Sequence, residues 1–301
     1  MVMKKVRYRY WLLGLSILFL IAGVRTFFIN DDLRSINLTS PISSRPEWSI
    51  QQPSAKERET LEKILSQPFS YLGEGGQSTV FLSADRHYVL KLFRFRRFRP
   101  SFFVDLLSNF SWLTSYRQRH SAKREQKMVV AFNGYKLAYD VHAIESGLIF
   151  VQLNQPLKFR PIDLIDKWGF RRRVDLGKTS FVLQEKGEIF STVLADSLSR
   201  GDLEGAKAQI DKLFNLYREE YRKGLHDLDY GIMHNIGVFQ DRLFHLDVGK
   251  LIYDERIKLP EFQQKDFAKV AAKIQRWVEE YYPNYTDDVS RFLEEGIQKS
   301  E

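Results

Sequence analysis

The segment Tyr71–Phe93 contains three glycines and one lysine whose spacing could serve phosphate binding. Gly73, Gly75 and Gly76 interrupt a strand-like segment, and Lys91 stands among the apolar residues of the next strand. Glycine weakens a strand unless a ligand or another backbone must approach closely. One interpretation is a flexible turn over phosphate groups, with a lysine that pairs with them. The other is an ordinary glycine-rich hairpin whose lysine lays its aliphatic stem along apolar surface.

A second group of polar residues lies in Tyr221–Leu251. Apolar residues at helical spacing predict an amphipathic helix over Leu203–Arg222, and Gly224 is a candidate for its C-cap. An acidic loop follows, then two short strands, "IGVF" and "LFHL", and then the tripeptide Asp-Val-Gly. The polar side chains that could do chemistry here are, in chain order, Asp227, Asp229, Asn235 and Asp247.

Helix, acidic loop, hairpin and Asp-x-Gly in this order resemble the catalytic core of the protein-kinase-like superfamily. The segment "LGEGGQSTVF" is similar to the kinase glycine-rich loop, and "VLKLF" is similar to the strand that carries the phosphate-pairing lysine. Gly73 and Gly75 match the first two glycines of that loop and Val80 matches its valine. Ser78 stands where the third glycine is usual, and Lys91 matches the lysine.

Two further segments lie between these motifs. "REQKM" is similar to the helix that supplies a carboxylate to the lysine, which implies that Glu125 pairs with Lys91. "SFVLQEKGEIF" resembles the strand and hinge that hold adenine through backbone hydrogen bonds, here around Gln184 to Gly187 and including Glu185. The resemblance covers about residues 68 to 252. The motifs occur in kinase order, which is more specific than any one of them.

The same resemblance gives roles to the acidic residues. It implies that Asp229 orients the acceptor hydroxyl as a base and that Asn235 and Asp247 hold Mg²⁺ on the phosphates of ATP. Kinases place their asparagine five positions after the catalytic aspartate. Here Asn235 follows Asp229 by six positions, and Asp227 by eight. Asp227 is therefore the alternative base.

The resemblance predicts an α+β fold with two lobes, a short C-terminal lobe and an N-terminal membrane anchor. The predicted kinase-like domain is 56–301, with an N-lobe of about 56–184 and a C-lobe of about 185–301. Only about fifty residues follow Asp-Val-Gly, and none of them match an Ala-Pro-Glu signature. A short C-terminal lobe of this kind resembles small bacterial lipopolysaccharide and sugar kinases, and atypical kinases, more than it resembles a typical serine/threonine kinase. The phosphoryl acceptor is unidentified: a sugar, a lipid-linked sugar or a protein.

The N-terminus has the pattern of a signal anchor. Four basic residues precede the apolar run Trp11–Val24: Lys4, Lys5, Arg7 and Arg9. We predict a membrane anchor over residues 1–29 and a linker over 30–55. Basic residues that flank a membrane segment tend to stay in the cytoplasm, so those before the run favour export of the domain. A need for ATP instead favours a domain on the cytoplasmic face. We place the domain on the cytoplasmic face, against anionic lipid.

Composition sets the remaining limits. The net charge is +8 and the sequence contains no cysteine, which excludes disulfides and cysteine-ligated zinc. A basic chain favours anionic partners, here ATP and anionic lipid, and no nucleic acid is expected. Two alternatives to an active kinase stay open at this point. One is a pseudokinase that binds nucleotide or serves as a scaffold, and the other is a membrane-tethered basic adaptor.

Overall fold

The structure is a computed structural model that describes residues 11, 13–21, 23, 33, 38–40, 43–95, 111–154 and 157–298. The side chains of 111–118, 120 and 121 are outside this description. The described chain has a mixed α+β fold, in which a large sheet comes first and a mainly helical part follows. This order agrees with the α+β class that the sequence predicts.

A seven-stranded sheet dominates the first part, in the order β4-β7-β3-β2-β1-β5-β6. Neighbouring strands pair antiparallel except β1 and β5, which are parallel. The strands are β1 (Phe69–Glu74), β2 (Ser78–Ser83), β3 (Tyr88–Phe93), β4 (Leu148–Gln152), β5 (Ile162–Ile165), β6 (Arg171–Val174) and β7 (Phe181–Glu185).

Two tight turns join the first three strands. The Gly75 amide donates to the Ser78 carbonyl at 2.8 Å and closes the glycine-rich turn between β1 and β2. The β2–β3 turn contains Arg86 at φ 64°, and the Arg86 amide donates to the Ser83 carbonyl at 2.9 Å. β2 and β3 thus form a hairpin with Asp85–His87 in its turn. In the β2–β3 pair, Val80 lies opposite Lys91.

Two helices accompany this sheet. α1 (Ala55–Leu65) begins with a capping box between Ser54 and Glu57, as its local sequence favours. α2 (Ser111–Val141) is a long helix whose C-terminal half is buried against the sheet and against the segment around Val248.

Five helices and five short strands form the second part. The helices are α3 (Phe190–Ser199), α4 (Leu203–Arg222), α5 (Ile232–Asn235), α6 (Pro260–Tyr281) and α7 (Thr286–Gln298). The strands are β8 (Glu188–Ile189), β9 (Leu225–Asp227), β10 (Ile236–Phe239), β11 (Arg242–His245) and β12 (Leu251–Tyr253). β8, β10 and β11 make a three-stranded sheet, and β9 pairs antiparallel with β12.

The apolar core is divided between the two parts, and a third cluster joins them. Phe132 and Tyr135 from α2, Val182 from β7, and Leu225 and Val248 from the second part share this joining cluster. Burial of large side chains on both sides makes the relative position of these elements specific. The cluster therefore sets how the lysine strand faces the Asp-Val-Gly segment.

The second half of the predicted linker is packed on α2. Trp48 is buried, with its ring edge-to-face on Phe132 at a centroid distance of 5.0 Å. Its Nε1 donates to Asn133 Oδ1 at 2.8 Å. Arg45 lies 3.7 Å from Glu125. These contacts tie residues 45–48 to the helix that borders the candidate site.

The structure describes only part of the predicted anchor. Residues 1–10 and 24–29 lie outside the described residues, and the described residues of 11–23 are helical with exposed apolar side chains. In the described part of the chain, no helix has both the length and the mean hydropathy that a bilayer span requires. The anchor over residues 1–29 stays a prediction.

Candidate active site

Lys91 reaches from the large sheet to the segment that follows β11. It is buried on β3, with 8% of its surface exposed, and its Nζ donates to the Leu246 carbonyl. Burial lowers the pKa of Lys91, and the nearby Asp247 carboxylate opposes the shift, which leaves the pKa at about 8. Burial disfavours the charged form of a lysine, and buried lysines beside carboxylates are typical of functional sites. The sheet thus brings Lys91 to Asp247, as the predicted roles require.

Asp247 is held in a defined orientation. Its Oδ1 accepts hydrogen bonds from the Gly249 amide at 3.0 Å and from the Tyr135 hydroxyl at 3.2 Å. Burial and the Asp247 carboxylate raise the pKa of Tyr135 well above its usual range, so this hydroxyl stays a donor. The carboxylate is only half-buried, so part of it can still reach a ligand.

The glycine-rich turn is anchored by a residue that the sequence reasoning missed. Arg94, just past β3, is buried and lies 3.1 Å from Glu74 Oε2. Its Nη1 donates to the Gly75 carbonyl at 3.2 Å. No local pattern marks this arginine, because its partners depend on the pairing of β1, β2 and β3. Gln77 also lies near this segment: a Cβ at Gly249 would lie 3.1 Å from its Oε1, which is buried and has no hydrogen-bond partner among the described residues.

The two candidate bases have different surroundings. Asp227 is buried at the end of β9, with Oδ2 3.3 Å from His245 Nδ1 and Oδ1 accepting the Asp229 amide at 2.9 Å. Burial raises the pKa of Asp227. The Asp229 side chain is 25% exposed, and its Oδ2 lies 3.1 Å from Lys250 Nζ. Of the two carboxylates, that of Asp229 is therefore the accessible one.

The side chains of Asp229 and Asn235 both approach Gly231. A Cβ at position 231 would lie 3.2 Å from Asp229 Oδ1 and 2.9 Å from Asn235 Nδ2. The short helix α5 follows Gly231 and ends at Asn235. The Asn235 carbonyl accepts the Leu246 amide at 2.6 Å, which holds the loop beside Asp247.

The donor atoms suit the Mg²⁺ that the kinase resemblance implies. Asn235 offers an amide oxygen and Asp247 a carboxylate, and Mg²⁺ binds oxygen ligands. Antiparallel pairing of β9 with β12 places Asp229 and Lys250 at the same end of both strands. The loop and the Asp-Val-Gly segment therefore converge, although they are separate in sequence.

The predicted partner of Lys91 lies elsewhere. Glu125 is 55% exposed and lies 3.7 Å from Arg45, and the structure does not bring it to Lys91. α2 contacts the Asp-Val-Gly segment at Gly134, nine residues further on. At 1.5 Å per residue this is about 13 Å along the helix. The carboxylate beside Lys91 is that of Asp247.

Gln184 and Glu185 brace the junction between the two parts. The buried Gln184 side chain donates to the Ser146 carbonyl at 2.6 Å and to the His245 carbonyl at 2.8 Å. The Glu185 amide donates to the Gly147 carbonyl at 2.8 Å, and its carboxylate pairs with Arg242. Both side chains thus bind protein groups, and their predicted contact with adenine stays a prediction.

We expect Gly134→Ala to misplace Asp247. A Cβ at position 134 would lie 2.3 Å from the Val248 carbonyl oxygen and 2.9 Å from the Gly249 carbonyl carbon, so α2 must move away. Overpacking of this kind costs about 1–3 kcal/mol, which exceeds the gain in helix propensity of roughly 1 kcal/mol. Urea unfolding measures the cost. Gly76→Ala, which meets nothing within 4 Å, is the control. Equal stability of both variants would contradict the prediction.

Comparisons with known proteins give distant likenesses only. No protein-family model and no curated protein match the sequence. A structure of the bifunctional kinase-methyltransferase WbdD gives a TM-score of 0.38 at 13% identity, over 74% of this chain and 42% of that one. Another WbdD crystal structure gives 0.38 at 15% identity, over 75% and 43%. The complex of APH(2")-IIa with streptomycin and ATP gives 0.24 at 13% identity, over 81% and 87%.

These likenesses do not assign the chain to a family. This chain spans less than half of the length of the WbdD structures. All TM-scores are below 0.5 and all identities are below 25%.

Proposed function

We propose that this chain has a two-lobed kinase-like fold and transfers the γ-phosphoryl group of ATP to a hydroxyl of its acceptor. One observation carries the proposal: buried Lys91 crosses from the sheet to Leu246 and Asp247, where the loop with Asp229 and Asn235 also arrives. A cation, two carboxylates and an amide oxygen are the groups that phosphoryl transfer needs in one place.

In this proposal Lys91 pairs with the ATP phosphates, and the glycine-rich turn from Gly73 to Ser78 covers them. Bound Mg²⁺ would neutralise charge on the phosphates, with Asn235 and Asp247 as its protein ligands. Asp229 orients the acceptor hydroxyl and takes its proton. Lys250, 3.1 Å from Asp229 Oδ2, is placed to hold that carboxylate and to stabilise negative charge on the transferred group.

The proposal is tested by a turnover assay on the full chain. We expect ATP consumption and transfer of labelled phosphate to depend on MgCl₂ and on an acceptor, with sugars, lipid-linked sugars and proteins tried as three classes. Membrane association of residues 1–29 on the cytoplasmic face would favour the lipid-linked class. If ATP does not bind with or without MgCl₂, the site has been misassigned.

A nucleotide-binding pseudokinase is the second candidate. It is favoured by the position of Glu125, which contacts Arg45 and is not brought to Lys91 as a helix carboxylate partner. This feature weakens the case for transfer. Mg²⁺-dependent ATP binding without turnover for any acceptor class would support this candidate.

We expect the affinity for Mg²⁺-ATP to fall as the pH rises above about 8. Burial and Asp247 together set the pKa of Lys91 at about 8, so the lysine is a cation below this pH and neutral above it. Only the cation attracts phosphate, and each further pH unit costs up to about ten-fold in affinity. Calorimetric titration of ATP across this range measures the effect. Lys91→Arg keeps its charge and should show a flat profile. A flat profile for the wild type would contradict the prediction.

A further inference from the structure

Three buried side chains from separate elements converge behind the candidate active site. His142 follows α2, Glu220 lies in α4 and His245 ends β11, and each has at most 1% of its side chain exposed. Glu220 Oε1 lies 2.9 Å from His142 Nε2 and also contacts His245 Nε2. One nitrogen of each ring and one carboxylate oxygen lie within 4.8 Å of one another.

An outer carboxylate lies near the second nitrogen of each imidazole. His142 Nδ1 lies 3.3 Å from Glu145 Oε2, and His245 Nδ1 lies 3.3 Å from Asp227 Oδ2. Nε2 of each ring thus lies next to Glu220 and Nδ1 next to an outer carboxylate. Histidines that bind metal in proteins commonly have a carboxylate beside the nitrogen that does not bind the metal.

Several of these buried atoms are close to one another and yet have no aligned hydrogen bond within the part of the chain that the structure describes. They are His142 Nδ1, Glu220 Oε2, Asp227 Oδ2 and both ring nitrogens of His245. Buried polar atoms normally have a partner. The ligands of a metal ion lie side by side around the ion, and contact between His245 Nε2 and Glu220 Oε1 without hydrogen-bond alignment fits that geometry. His142 Nε2, by contrast, forms a hydrogen bond with Glu220 Oε1 at 2.9 Å.

We propose that His142, Glu220 and His245 bind a divalent transition metal ion, with Zn²⁺ as the metal of first choice. Two imidazole nitrogens and one carboxylate oxygen form a ligand set of zinc proteins, and no cysteine is needed. Mg²⁺ prefers oxygen ligands, so this site is chemically distinct from the one at Asn235 and Asp247. Nitrogen ligands and complete burial indicate a transition metal in a structural role.

The proposed ion would join three elements that position the active site. β11 leads directly to Leu246 and Asp247, and α2 carries Tyr135 against that aspartate. In the competing state no metal is bound, and Glu220 joins the same elements through its hydrogen bond with His142 and its contact with His245.

The test is titration of metal-free full-length protein with Co²⁺ alone, without nucleotide and in excess MgCl₂. We expect one tightly bound Co²⁺ per chain with the intense visible absorption of a low-coordinate nitrogen and oxygen site, displaced by one equivalent of Zn²⁺. His142→Gln and Glu220→Gln should each weaken binding by at least about ten-fold. His87→Gln, at an exposed turn, and Asp247→Ala should leave it unchanged.

A second measurement covers variants that fold poorly. For the wild type, Zn²⁺ should raise the melting temperature and chelation should lower it, because a ligand of the native state stabilises it. The proposal is overturned if the wild type binds no Co²⁺, contains no metal as isolated and does not respond to Zn²⁺. Unchanged binding in both ligand variants would overturn it as well. None of these results depends on ATP, so failure here leaves the proposed phosphotransferase activity untouched.

Discussion

Asp229→Asn is expected to lower phosphoryl transfer by about 10²–10⁴-fold while leaving the affinity for Mg²⁺-ATP nearly unchanged. The reason is that a base which takes the acceptor proton acts in the transition state and contributes little to binding of ATP. Asp229 has the accessible carboxylate of the acidic loop, and the side chains of Asp229 and Asn235 both approach Gly231. Transfer rates at saturating ATP, together with calorimetric ATP binding, measure the two effects separately.

Asp227→Asn is the matched control, two residues away and with the same change of charge. Asp227 is buried against His245, so its loss should act on folding, with a cost on the order of 1–3 kcal/mol. The folded fraction should retain most of its transfer rate. If Asp227→Asn abolishes transfer in folded protein and Asp229→Asn does not, Asp227 is the base.

Asp247→Ala should weaken Mg²⁺-dependent ATP binding by about 100-fold or more, which is roughly 2.7 kcal/mol. A hard divalent cation loses a charged oxygen ligand, and the remaining amide oxygen of Asn235 is neutral. Without MgCl₂ the difference between variant and wild type should be much smaller, since no metal ligand is lost and the removed carboxylate repels the phosphates. ATP titrations with and without MgCl₂ measure both effects.

Tyr135→Phe serves as the control for Asp247. It removes the 3.2 Å hydrogen bond to Asp247 Oδ1 and keeps the carboxylate, so its effect should be about 0.5–1.5 kcal/mol. Circular dichroism establishes that both variants are folded. A folded Asp247→Ala protein with the Mg²⁺-ATP affinity of the wild type would show that Asp247 is not a metal ligand.

The local sequence was sufficient to predict elements that depend on interactions between neighbouring residues. The predicted helix Leu203–Arg222 has these bounds in the structure, because its apolar spacing lies on one face. Gly224 then has φ 73°, which suits the C-cap predicted for it. The predicted strands "IGVF" and "LFHL" correspond to β10 and β11, and β11 begins and ends one residue earlier than predicted.

The order of motifs along the chain also selected candidate site residues. Lys91, Asp229, Asn235 and Asp247 were selected from residue type and order, and the structure brings them to one region. Their roles stay predictions. The hydrogen bond from Lys91 to Leu246 nevertheless spans 155 positions, and no local pattern contains it.

Only the tertiary structure decided which side chains become partners. Glu125 was matched to Lys91 by motif, but α2 packs through Gly134, so Glu125 faces Arg45 and Asp247 stands beside the lysine. Burial separated Asp227 from Asp229, which the sequence left as alternatives.

The cluster of His142, Glu220 and His245 was hidden for the same reason. Its members come from three elements and have no common spacing. Periodicity and caps are determined by neighbours within a few residues, whereas burial and the choice of an ionic partner depend on how distant elements pack. The sequence therefore determined the elements and the candidate chemistry of this protein, and the packing of α2 and β11 decided which groups face one another.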